Sequence, residues 1–204
     1  MHAFRRSRDG YRARLAPVER QALASVVDDV LALLGGSRAV DGDVADGVGD
    51  LPALRIAEVV VAPSDPAVAR LLPDASRDDP DLAAEFRRLT QDDLRAAKAA
   101  SLDLLRTTLL AQVPGAEDDE LVVGRADGGR VAAALTDVRL VLAERLGLRT
   151  DEDAEALHVE LERVSGRRPD DDRRRALAEL YDALTWWQET LVVALVGDLP
   201  GGSA

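Results

Sequence analysis

The chain has 204 residues, 26 Lys+Arg against 38 Asp+Glu, a formal charge of -12, 47% apolar and 3% aromatic residues, and no cysteine. A chain of this length buries roughly 70% of the surface its unfolded form exposes, so it predicts a globular body with its own core. The missing cysteines exclude disulfides, thiolate nucleophiles, iron–sulfur ligation and thiol redox sensing, and His2 and His158 alone are too few for the usual structural zinc site.

The longest apolar run, Leu191 to Val196, is six residues, against about 18 needed to cross a bilayer. The basic start, Met1 to Arg8, has no apolar stretch behind it of the kind a secretory leader carries. Both observations predict a cytoplasmic chain with no membrane role. Charge is unevenly placed: residues 1–20 carry +4, residues 21–120 carry -11 and residues 121–204 carry -5. Basic charge is almost all arginine, 25 Arg and the single Lys98.

Asp9-Gly10 flanked by alternating residues predicts a hairpin over about 3–15, with 8 pairing 11, 6 pairing 13 and 4 pairing 15. Phe4, Ala13 and Leu15 then share one face, and Arg5, Arg12 and Arg14 the other. Pro17 followed by Leu23, Val26, Val27, Val30, Leu31 and Leu34 predicts a helix over about 17–34, stopped by Gly35-Gly36. Residues 35–50, rich in Gly and Asp, read as a loop, and Leu51 to Val61 leans towards a short helix.

Asp65-Pro66 predicts a short helix through Leu72, and Asp79-Pro80 another over Asp81 to Leu89. Thr90-Gln91-Asp92-Asp93 has the spacing of a capping box, with Thr90 as N-cap of a long helix to about Gln112. Leu94, Ala97, Leu102, Leu105 and Leu109 are the candidates for its buried side. Leu121-Val122-Val123 is a candidate third strand, and Asp127-Gly128-Gly129 opens a helix with a stripe from Val131 to Leu146, ended by Gly147. A second capping box, Thr150 to Asp153, starts a helix to about Val164. The last helix, about Asp171 to Val196, places Leu177, Leu180, Tyr181, Leu184, Trp187, Leu191 and Leu195 on one face.

The sum is a mainly α fold, a helical bundle with a small N-terminal β-hairpin or three-stranded β-ribbon. It reads as one domain over 1–204 with a disordered tail from about 198.

No set of residues points to catalysis, a cofactor or a bound metal. His158 sits among Glu155, Glu160 and Glu162 on a helix, and no nucleophile elbow, P-loop or dinucleotide fingerprint occurs. The acidic clusters at 117–120, 151–153 and 170–172 cannot converge on one ion from consecutive helix positions, and two of them suit helix starts. Two arginine clusters, at 5–14 and 167–175, offer DNA an alternative role, but the second is interrupted by Asp170-Asp171-Asp172 and the acidic body repels a duplex.

Candidate partner-binding residues are therefore Arg5, Arg12 and Arg14 on the ribbon and Trp186. Adjacent helical positions point about 100° apart, so Trp186 and Trp187 cannot both face one core. Asp137 and Arg139, inside an otherwise apolar helix, and Asp182 are candidate structural polar residues, with Asp137 expected to pair with a base on another helix. The apolar content of the last helix also suits a homodimer.

Three stretches together carry a family resemblance: Ala62-Pro63-Ser64-Asp65-Pro66 through Leu72-Pro73-Asp74-Ala75 with Glu85-Phe86-Arg87-Arg88-Leu89-Thr90, Leu135-Thr136-Asp137-Val138-Arg139-Leu140, and Tyr181-Asp182-Ala183-Leu184-Thr185-Trp186-Trp187-Gln188-Glu189. They resemble the actinobacterial oxidative-stress regulator family (AosR-like), formerly a domain of unknown function. Phe4-Arg5-Arg6 and Gly10-Tyr11 fit its opening. The resemblance implies a non-enzymatic transcription regulator acting through a protein partner, a sigma factor, with genes that neighbour a ClpS-type adaptor and a cysteine-synthesis cluster. It also implies a redox-sensing cysteine pair, which this chain lacks. With Met1 the only methionine, sulfoxide chemistry offers no substitute switch.

Overall fold

The computed structural model describes residues 1–41, 63–76, 78–112, 119–163 and 169–198. The elements run β1 (Arg5–Ser7), β2 (Gly10–Arg14), α1 (Pro17–Asp41), α2 (Pro66–Leu71), α3 (Pro80–Leu110), β3 (Glu120–Gly124), α4 (Gly128–Leu146), α5 (Asp151–Arg163) and α6 (Pro169–Val196). The fold is mainly helical with a three-stranded antiparallel sheet ordered β1-β2-β3. The segment 51–61, the link 113–118, Arg167, Arg168, most of the 35–50 stretch and residues 199–204 lie outside the described residues.

The sheet keeps the predicted faces but not the predicted register. Arg5 pairs with Arg12, Arg6 with Tyr11 and Ser7 with Gly10, so the turn is Arg8-Asp9 and not Asp9-Gly10. The Ser7 hydroxyl closes it by donating to the Gly10 carbonyl at 3.0 Å. Gly10 serves the other strand instead: its φ is 144°, and a Cβ there would collide with the Val123 carbonyl of β3. The slip is two residues, and because side chains alternate with a period of two, Phe4, Tyr11, Ala13 and Leu15 still face the core while Arg5, Arg12 and Arg14 face out.

Helix α1 runs through Gly35-Gly36 to Asp41, beyond the predicted stop. Neither glycine takes the positive φ that ends a helix, and glycine inside a helix costs only about 1 kcal/mol relative to alanine. In contrast, Gly147 does take that conformation, with φ 79°, and caps α4.

The two helices predicted on either side of Thr90 are one, α3. Asp79 caps it, accepting from the Leu82 N–H at 3.0 Å, with Pro80 in the first turn. Thr90 is not an N-cap: its hydroxyl donates back to the Phe86 carbonyl at 2.9 Å, a bond available only inside a running helix. Continuity fixes the phase. With Leu102, Leu105 and Leu109 buried, the same face one, two and three turns earlier carries Lys98, Arg95 and Gln91, while Leu94 and Ala97 turn outward.

The Thr150 box does form: Asp153 accepts from the Thr150 N–H at 2.9 Å, and Thr150 Oγ1 accepts from the Asp153 N–H at 3.2 Å. Helix α4, buried through Val131, Ala134, Leu135, Asp137, Val138, Val141 and Leu142, packs against α2, α3 and α6 and forms the centre of the bundle. Gly128 lets its start approach the sheet and α6, since a Cβ there would lie 2.6 Å from Leu195 Cδ2 and 2.7 Å from Tyr11 Cε2. Asp198 is tied to the sheet through Tyr11, whose hydroxyl donates to it at 2.9 Å.

Candidate functional site

Helix α6 separates its two tryptophans as the 100° spacing requires. Trp187 is fully buried, its indole N–H donating to the His2 carbonyl at 3.1 Å and its ring 4.7 Å from that of Phe4. Trp186 is 45% exposed. Further along α6, Val193 falls on the same face as Trp186, and Val192 and Val196 flank it; all three are exposed. Exposed Glu179 and Glu189 and half-buried Asp182 lie on this side too. The result is one helix face that mixes apolar anchors with carboxylates. Strand β1 borders it: the Phe4 N–H donates to Thr190 Oγ1 at 3.0 Å, and Arg6 donates to the Gly197 carbonyl at 2.5 Å.

The arginine ribbon is not a free basic surface. Arg12 pairs with Glu120 at 2.6 Å and Asp9 at 3.3 Å, and Arg14 lies 3.9 Å from Asp119. Glu120, through hydrogen bond and charge, holds the Arg12 pKa above its ordinary value. Arg5 is exposed beside them. Arg6 and Arg125 converge on Asp198, and Arg125 also donates to the Ser7 carbonyl at 2.9 Å. In the second cluster Arg174 donates to the Leu146 carbonyl at 3.1 Å, which stabilises the end of α4, and Arg173 is exposed.

Asp137 is 3% exposed and accepts from the Lys98 ammonium at 2.5 Å, joining α4 to α3. Burial raises its pKa above the usual carboxylate value even against the opposing pull of Lys98. Arg139 instead faces α6. Its Nη1 donates to Gln188 Oε1 at 2.7 Å, and the guanidinium lies 5.4 Å from the centre of the Tyr181 ring. Gln188 is held in turn by donating to the Ala132 carbonyl at 2.9 Å and to Thr136 Oγ1 at 2.5 Å. Asp182 is half-buried on α6.

Arg139 opens on a cleft of about 240 Å³ that also takes Arg70 from α2, Thr136 from α4, Arg149 and Thr150 ahead of α5, and Tyr181 from α6. Sequence reasoning singled out Arg139 but neither Arg70 nor Arg149. Nothing local marks either one, since 79 positions separate them in the chain and only packing of α2 against α4 brings them to one rim.

A family model described as Domain of unknown function (DUF2017) matches residues 1–195. Neither a curated protein nor a solved structure matches the chain. Among the described residues no helix is long and apolar enough to cross a membrane.

Proposed function

The chain belongs to the DUF2017 family, and from that premise we propose that it is a non-enzymatic regulatory protein that works by docking a protein partner on the outer face of α6. The carrying observation is the half-exposed Trp186 in line with Val193 on a long helix whose opposite side is firmly packed. Tryptophan is enriched among interface anchors because it removes a large apolar area from water at little rotamer cost. Exposed Glu179 and Glu189 beside it select a partner segment that is apolar and basic together.

The sequence resemblance to the AosR-like oxidative-stress regulators gives that partner as a component of the transcription machinery, a sigma factor. Arg12 and Arg14 on the neighbouring ribbon are held by the chain's own acids. With no cysteine, this chain docks its partner without sensing oxidant itself.

Purification of the tagged chain from its own cells, with mass spectrometry of the retained proteins, tests the reading. A sigma factor or polymerase is expected with the wild type, at the same yield with and without peroxide, and is lost with Trp186→Ala or Val193→Glu while circular dichroism stays unchanged. Recovery of only ClpS-type or cysteine-synthesis proteins, or retention that both variants leave intact, overturns it. Direct DNA binding in a low-salt anisotropy titration would favour the arginine-cluster alternative instead.

A further inference from the structure

We propose that the cleft between α2, α4, α6 and the start of α5 binds a small phosphate-bearing anion, either inorganic phosphate or a compact phosphomonoester. Its lining includes three arginines, Arg70, Arg139 and Arg149, with Thr136 and Thr150, in a chain whose formal charge is -12. The acids nearby are already committed. Glu144 accepts from Arg70 Nε at 2.7 Å, and Asp153 accepts from the backbone N–H groups of Arg149 and Thr150 at 2.8 and 2.9 Å.

The arginines differ in how they are held, and the difference suits a ligand. Arg70 is fixed at the rim by Glu144 and by donating to the Leu148 carbonyl at 3.0 Å. Arg139 is fixed by Gln188 and by the Tyr181 ring, yet its Nε is buried with no hydrogen-bond partner among the described residues. Arg149 is exposed, and its charge acts on the Asp153 carboxylate.

Planar guanidinium forks match the oxygens of phosphate in paired hydrogen bonds, which favours a phosphoryl group at a site where Arg139 and Arg149 stand beside the Glu144-paired Arg70. The cleft lies below the roughly 300–1,000 Å³ typical of drug-sized ligands, so the body attached to the phosphate is small. Leu140 and Leu148 give that body an apolar floor.

Arginine Nε–Hε NMR of the full chain tests this, with titration of inorganic phosphate and of phenyl phosphate against sodium chloride at constant ionic strength. Saturable shifts of the Arg139 and Arg149 signals are expected with phosphate and not with chloride. Arg149→Gln should weaken binding by about tenfold or more, as loss of a charged hydrogen bond does, while Arg173→Gln, an exposed arginine outside the cleft, leaves it unchanged. Tighter binding of phenyl phosphate identifies a monoester as the ligand, and equal affinity identifies free phosphate. Shifts that never saturate, or equal weakening by Arg149→Gln and Arg173→Gln, overturn the proposal. Because Arg149 is exposed, its variant keeps the test open even if Arg139→Gln does not fold.

Discussion

Arginines sit at both ends of the bundle, and they do opposite things. At the sheet end they are consumed by the fold. Arg20 is buried and donates to the carbonyls of Leu109 at 2.6 Å, Glu120 at 3.3 Å and Ala111, which satisfies the end of α3. Arg12, Arg14, Arg6 and Arg125 each meet a carboxylate of the chain itself. At the cleft end Arg70 and Arg174 are held in the same way, by Glu144 and by the carbonyls of Leu148 and Leu146, but Arg139 keeps a buried Nε without a hydrogen-bond partner among the described residues and Arg149 stays exposed. The number of arginines in a segment therefore says little about charge available to a partner. What decides it is whether the fold delivers carbonyls and carboxylates to the same place.

The contrast can be broken most severely at Arg20. Arg20→Met keeps the aliphatic stem but strands three carbonyls, two of them at a helix end, and should cost about 2–4 kcal/mol, read as a lowered midpoint in urea denaturation. Next comes Lys98→Met, which leaves the Asp137 carboxylate buried without its base. Loss of one partner of a buried pair costs about 3–5 kcal/mol, and the partial exposure of Lys98, 21%, puts this case at or below the lower bound.

The pH dependence of that second variant has a definite sign. Burial already raises the Asp137 pKa in the fold, so the native state holds this proton more tightly than the unfolded state. Its contribution to stability falls as pH rises from the unfolded value through the folded one. Removing Lys98 raises the folded value further, so the deficit should shrink on going from about pH 7 to about pH 4. A deficit that grows in acid would mean Asp137 is not the source. Asp65 behaves oppositely: Arg145, at 2.7 Å, lowers its pKa, so its contribution is present above the unfolded value and lost as pH falls through the folded one.

The smallest effect sharpens the comparison. Arg12→Gln removes an exposed ion pair and should leave the thermal midpoint within the scatter of replicate melts. A large drop there would make the ribbon's charges structural in the same sense as Arg20.

Much of the local architecture was legible before any coordinates. Asp65-Pro66 and Asp79-Pro80 start helices where expected, Thr150 with Asp153 forms its reciprocal cap, Leu121 to Val123 joins the sheet, and Gly147 ends α4. The candidate site was legible only in part. Trp186 and Arg139 stood out because each breaks a periodic pattern, whereas Arg70 and Arg149 break none. Arg5, Arg12 and Arg14 were placed on the right face, but the ion pairs of Arg12 with Glu120 and of Arg14 with Asp119 depend on the β3 segment, more than 100 positions away.

By itself the sequence determined face and phase: which residues of each strand and helix look inward, and where a helix starts when a capping aspartate meets a proline. Tertiary structure decided continuity, register and charge. Thr90 carries the same box spacing as Thr150, yet only Thr150 follows a terminated helix. Once α3 is running from Asp79, adding each residue gains a hydrogen bond without a new nucleation cost, so the later signal is overrun. The hairpin register likewise departed from the local turn preference: Gly10 lies in β2 facing the Val123 carbonyl of β3, a place where only a residue without a Cβ fits.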